Sequence, residues 1–499
     1  MTQASKTYSR TTRNSAAHRP RSLRSAARLG FGLLSLLSLS VGQIAHAGTV
    51  NWDGTAADWF SNPSHWVGGT APGMTDDAVN SSTAAITLGQ STTISSFFSN
   101  GAFALTGGIF SGSQANAAGT LTVNNVFADN GGTISNFTIN QGTGGSLIFN
   151  TSGGNVLSGD IINANVDLAS LGNNYVRLVG ANTVNGNINL GAGGGNGLHL
   201  QDGNSVLTLG STGSLTGFGS VVQDNGGATF NNNGTVNANS AGNTLLINTD
   251  NFNNAGTLQV QNGAILATAG NTNITDSGNI LVKSGGTATL GQPLTQTAGL
   301  TQVDGTLNSP LTLTGGTLKG TGIVNGNVTN TSGTVAAGDS PGTLTVNGAY
   351  SQALGGTLDV QFTNAASSLL AVNGMVTTDG TLSVNYIDSI PFTGGFTPFT
   401  FLDYTTLATT ETSTTGFTQY FSNEIPLSNT TGTILGSNGF IYELINNTAS
   451  SSLQLSVLTN GAPTPAVPEA STTISFGLLL TLGGGGLMIA KRKKASASV

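Results

Sequence analysis

The chain contains no cysteine, which excludes a disulfide framework and any Cys-ligated metal site. Charge is nearly as scarce, at 7% of 499 residues. Seven of the 14 Lys and Arg lie in residues 1–28 (Lys6, Arg10, Arg13, Arg19, Arg21, Arg24, Arg28), and four form the cluster Lys491-Arg492-Lys493-Lys494. Between residues 48 and 466 the three cations Arg177, Lys283 and Lys319 face 20 acids, a net −17. Phosphate neutralisation needs clustered Lys and Arg, so nucleic acid is excluded as a partner. An acidic body of this kind stays soluble and repels other anionic surfaces. No zinc-protease H-E-x-x-H and no phosphate-binding loop occurs.

What is abundant is Gly, with 73 residues, accompanied by Ser, Thr and Asn. That composition suits many short strands joined by tight turns. From about residue 85 to 346 the chain is a string of Gly-Thr-φ-x-φ signals, where φ is apolar. Gly119-Thr-Leu-Thr-Val123, Gly256-Thr-Leu-Gln-Val260 and Gly342-Thr-Leu-Thr-Val346 are examples. Such short alternations read as strands. Their spacing says more. Phe230-Asn-Asn-Asn-Gly234-Thr-Val236 recurs as Phe252-Asn-Asn-Ala-Gly256-Thr-Leu258 and as Ile274-Thr-Asp-Ser-Gly278-Asn-Ile280, a 22-residue period. Gly299 follows after 21 residues, and Gly316 and Gly333 after 17 each. One supersecondary unit per period of about 20 marks a solenoid. With no helical pattern between strands, we expect an all-β, right-handed parallel β-helix of about 13 coils over residues 85–348. Asn at repeated positions is expected to extend side-chain hydrogen bonding along the stack.

The two ends read as addresses. Residues 1–47 have a basic n-region, a 13-residue apolar segment (29–41) and Ala45-His46-Ala47 before Gly48, the pattern of a cleaved secretory signal. Its readers would be signal peptidase and the general secretion machinery. At the other end, residues 470–490 are 21 uncharged residues followed by the basic cluster. As a helix they would be about 31 Å long, enough to cross a bilayer, with Lys491 to Lys494 held on the cytoplasmic side. We therefore expect one C-terminal transmembrane helix, a membrane partner through it, and an exported body.

Between the addresses, residues 48–84 form an aromatic block with all three Trp at equal spacing, Trp52, Trp59 and Trp66. Its W-D-G, D-W, W-x-G-G, P-G and D-D-A-V pattern resembles the start of secreted, autotransporter-passenger-like β-helix proteins. The rings are read as an N-terminal cap on the first coil, with carbohydrate contact as the second reading, since an aromatic ring stacks on a sugar's apolar face. Asp76 and Asp77 fall short of the six to eight oxygens calcium takes. Residues 349–458 carry a more aromatic run, expected as a β-sandwich-like C-terminal cap, and 459–466 read as a linker.

Residues 313–346, with the turn Gly338-Asp339-Ser340-Pro341-Gly342, are similar to the repeat near the end of autotransporter-type β-helix passengers. The final segment, residues 467–494, with its Val467-Pro468-Glu469-Ala470 block, apolar run and basic cluster, resembles the PEP-CTERM sorting signal of Gram-negative bacteria. The second Pro of Pro-Glu-Pro is Ala470 here. The resemblance implies an exosortase-type processing enzyme as partner, with Pro468 and Glu469 as recognition residues and this chain as its substrate.

Chemistry is harder to place. A lyase would want a Lys or Arg base beside clustered carboxylates, and the three body cations stand far apart in sequence. A glycosidase needs two facing carboxylates about 5 to 9.5 Å apart, whereas the acids here are scattered singly in turns. A His-dependent triad would be sought in the cap, where His65 stands beside Trp66. We expect no enzyme, no cofactor and no metal. The expected role is a surface-sorted structural or adhesive protein of envelope, biofilm or exopolysaccharide matrix, held at the inner membrane in transit. The alternative is a surface carbohydrate-binding or polysaccharide-degrading protein on the same scaffold.

Overall fold

The 22-residue period is one coil of a right-handed parallel β-helix. The computed structural model describes residues 48–459 apart from 55, 114–118, 152, 170–174, 192–194, 339–340, 389–397, 410–416, 418, 423–424, 427–432, 436–439 and 448. Each coil contributes one short strand to each of three sheets. The coil starting at residue 251 lays Asn251–Asn254 on the first sheet, Thr257–Val260 on the second and Ile265–Thr268 on the third. Neighbouring coils pair parallel and in register, so Phe230, Phe252 and Ile274 stack, as do Leu258 on Ile280 and Leu266 on Ala288.

The about 13 coils expected for residues 85–348 are present, and coiling continues past both bounds. The first sheet has 17 strands, from Gly48–Asn51 to Thr406–Thr409. At about 4.8 Å per layer the stack is on the order of 75–80 Å long. The shorter sequence periods are shorter coils: Leu294, Leu311 and Val328 are register partners 17 residues apart.

Glycine marks the period for a steric reason. A Cβ on Gly234, Gly256 or Gly278 would strike the carbonyl oxygen of the glycine one coil before, Gly213, Gly234 or Gly256. No larger residue fits such a column. Alternate strand residues point inward, and Phe230, Val236, Phe252, Leu258, Leu266 and Ile280 are buried.

A second inward column is polar. Asn232, Asn254, Asp276 and Gln296 are buried register partners on successive coils. Asn232 Nδ2 donates to Asn254 Oδ1 (2.7 Å), and Asn254 Nδ2 donates to Asp276 Oδ1 (2.6 Å). The same amides reach the next strand, donating to the carbonyls of Thr257 and Asn279. Each side chain thereby ties the corner between first and second sheets to the coil above. The column then falters, because Asp276 Oδ2 and Gln296 Oε1 have no hydrogen-bond partner.

The two ends depart from the regular coil. Phe399–Asp403 is the last parallel strand of the third sheet, which then turns antiparallel through Ser452–Thr459, Phe440–Asn447 and Thr433–Leu435. Phe401, Phe417, Tyr442 and Leu455 are buried there. At the N-terminal end the Trp-rich block contributes Gly48–Asn51 and Asp58–Trp59 to the first and second sheets, so it is the first coil itself. Among the described residues the one helical element is the 3-10 turn Pro63–His65, and none is long and apolar enough to cross a membrane. The expected C-terminal transmembrane helix, residues 470–490, and the sorting signal of residues 467–494 that contains it lie outside the described residues.

Burial pushes the Asp276 carboxyl from 3.8 up to about 6. The native state therefore holds a proton that the unfolded chain releases near 3.8. Stability from the neutral form is complete below that value and is lost as pH rises toward about 6. Asn at this position supplies the missing donor without the charge. Asp276→Asn is expected to stabilise the fold at pH 7 by about 1–3 kcal/mol and to change it little at pH 4. Thermal unfolding at both pH values checks this, and a lowered Tm at pH 7 would contradict it.

Candidate functional site

The address residues lie outside the described residues: Ala45 and Ala47 of the cleavage site, Val467 to Ala470 of the sorting block and Lys491 to Lys494. Gly48 is described and opens the first strand, paired with Asp76.

The three Trp separate by burial. Trp52 and Trp66 are buried, so neither offers a ring face to a sugar. Trp66 Nε1 donates to Phe60 O (2.7 Å), and its ring meets Phe60 and Trp52 edge-on at 5.0 Å each. Phe60 continues this aromatic column into Phe97 and Phe110. An antiparallel bridge between Trp52 and Trp66 covers part of the open edge of the first coil. Trp59 is 52% exposed. Its indole lies against Gly89, where a Cβ would stand 2.9 Å from ring Cζ3. Asp58 accepts from Trp59 N–H (2.7 Å) and Asn62 Nδ2 (2.8 Å) and lies 2.8 Å from His65 Nε2. The backbone N–H of Trp59 leads these in holding the Asp58 carboxyl below its usual range. His65 stacks on Trp52, so these polar groups brace the first coil. Asp76 and Asp77 are spent on Gly73 N–H and Ser96 Oγ. Among the described residues no group of three or more His, Asp or Glu is placed to hold a metal.

Sequence reasoning missed a second cluster on the third sheet. Tyr175 and His199 stack at 4.2 Å, Arg177 Cζ lies 5.8 Å from the centre of the Tyr175 ring, and His199 Nδ1 is 2.9 Å from Asp224 Oδ1. Arg177 and His199 are register partners, as are Tyr175 and Gly197. Spacing by one coil was the available signal. The turn 338–342 also spells G-x-S-x-G. Its flanking elements Thr334–Ala337 and Thr343–Val346 are both strands, whereas a nucleophile elbow joins strand to helix. Asp339 and Ser340 lie outside the described residues.

Two further acids serve turns from within. Asp129 accepts from Gly131 and Gly132 N–H, and Asp160 from Phe137 and Ser158 N–H. Burial pushes their carboxyls up to about 7 and about 8, respectively. Outside, the expected amide ladders are present. Asn325 donates to Asn308, Asn347 to Asn325 and Asn373 to Asn347, each at 2.7 Å. A second ladder runs from Asn185 through Asn163 to Asn140, and a third from Thr275 through Asn253 to Asn231. They present neutral donors and acceptors coil after coil.

No protein-family model matches the chain, and no curated protein matches it. Among solved structures it is similar to the Hap adhesin of Haemophilus influenzae, at 13% identity and a TM-score of 0.25. That likeness covers 78% of this chain and 65% of the adhesin, so the chain spans less than two thirds of that structure. The fold assignment rests on the strand register.

Removing the ring of Trp66 leaves a cavity under the first coil and strips a donor from Phe60 O. Trp66→Ala is expected to cost about 3–5 kcal/mol, and Trp59→Ala less than about 1 kcal/mol, as for an exposed side chain. Urea unfolding of the two variants checks the order, and equal losses would contradict the cap geometry.

Proposed function

We propose that the protein is an exported, surface-sorted β-helix with a structural or adhesive role in the bacterial envelope, biofilm or exopolysaccharide matrix. The observation that carries this reading is the repetition of neutral amides and hydroxyls along the outer faces, as in the ladder from Asn308 to Asn373. A stiff rod that repeats one mild chemistry makes many weak contacts at once, and linked weak contacts add up to avidity. Catalysis instead asks for a few convergent, reactive groups. In this reading signal peptidase releases the N-terminus, the C-terminal helix holds the chain at the inner membrane, and an exosortase-type enzyme frees the body for the surface.

One observation favours a second reading, a carbohydrate-binding protein: the half-exposed indole of Trp59. Glycan binding lost in Trp59→Ala with the fold intact would support it.

Sorting is tested by replacing Pro468 and Glu469 together with Ala and fractionating the cells. The variant is expected to stay in the inner-membrane fraction, with the intact tail detected by C-terminal mass spectrometry. Unchanged release into the medium would overturn the processing step.

A further inference from the structure

Over the coils that keep the 22-residue period, the corner after the first sheet is hollowed into a groove of about 360 Å³. Asn231, Asn253 and Thr275 stand along it one coil apart, with Asn233, Ser277 and Thr297 on the turn beside them. The exposed lining carries no charge. Its one carboxyl, Asp276, is 1% exposed and accepts from Asn254 beneath the surface.

The lining keeps hydrogen-bonding capacity in reserve. Asn253 Nδ2 donates one hydrogen to Asn231 Oδ1 (2.8 Å), and Asn253 Oδ1 accepts from Thr275 Oγ1 (2.6 Å). An amide has two donors and two lone pairs, so each link leaves part of the group free. Asn233 and Ser277 are exposed, and their side chains make no hydrogen bond among the described residues. Fixed neutral donors and acceptors with neither a cation nor a large apolar wall select a ligand that is neutral and densely hydroxylated. The coils repeat these groups about every 4.8 Å, close to the advance of one pyranose unit along an extended sugar chain.

We propose that this groove binds a linear neutral glycan lying along the helix axis, with about one sugar facing each coil. The inference rests on the adhesive reading above and gives it a ligand and a place. The two can fail separately, because surface retention of the whole protein can persist where the purified protein binds no sugar.

The test titrates the purified protein by calorimetry with neutral linear oligosaccharides of increasing length, and with a polyuronate as the charged control. Neutral affinity is expected to rise with length until the ligand spans the three coils, then level off, and to change little with salt. Asn253→Val combined with Thr275→Val removes the polar groups while placing β-branched residues, which suit a strand, on the outer face, and is expected to lower affinity at least about tenfold, a loss of roughly 1.4 kcal/mol. Trp59→Ala is expected to leave it unchanged. Unchanged far-ultraviolet circular dichroism and Tm in both variants establish that the coils are intact. The proposal would be overturned by no neutral glycan bound, full affinity in the double variant, loss confined to Trp59→Ala, or preference for the polyuronate. Self-association of the protein that disappears in the double variant would assign the groove to a second copy instead, and would equally overturn it.

Discussion

Backbone hydrogen bonding between coils governs this molecule. In a parallel stack, the N–H and C=O groups of each strand are taken up by the coils on either side. Whatever stands at one position in a coil therefore meets its counterpart in the next. Glycine columns follow, because the turn at Gly234, Gly256 and Gly278 has no space for a Cβ under the preceding carbonyl. Inner amide columns follow as well, because a buried polar group must find its partner one layer away. The two terminal coils are the exceptions, since each lacks one neighbour. The buried Trp52 and Trp66 with their antiparallel bridge meet that problem at one end. Antiparallel strands from residue 399 onward meet it at the other.

The same geometry accounts for the scarcity of charge. Like charges repeated at one outward position would stand about 4.8 Å apart along the rod, and facing like charges on paired strands are destabilising. Asn, Thr and Ser satisfy one another at that distance without repulsion. The neutrality of the outer ladders is thus first a condition of stacking and then a property of the surface. In the functional reading, a face forced to be uncharged and repetitive suits contact with uncharged, repetitive matter.

Much of this was legible in the sequence. The 22-residue period, the alternation within Gly-Thr-φ-x-φ and the outward Asn positions translate directly into coils, buried faces and ladders. Residues 85–220 repeat less visibly because their turns absorb length: Phe103 pairs with Phe127, 24 residues on, and Val126 with Ser146, 20 residues on. The three Trp look equivalent at equal spacing. Strand register turns Trp59 outward over Gly89, whereas an antiparallel bridge outside the strands holds Trp52 and Trp66 inside. His199 escaped notice for a related reason, since its partners Tyr175, Arg177 and Asp224 lie 22 to 25 residues away and form no local motif. The groove beside Asn253 was equally invisible, because concavity at a corner depends on how successive turns stack.

The coil is the unit of the structure. Deleting residues 234–255 removes one whole coil and joins Asn233 to Gly256 in the same register as before. The account predicts that the shortened protein keeps its β-sheet circular dichroism and unfolds cooperatively near the parent Tm, whereas deleting residues 234–244, half a coil, abolishes the fold. If the half-coil deletion were tolerated as well as the whole-coil deletion, the account would be contradicted.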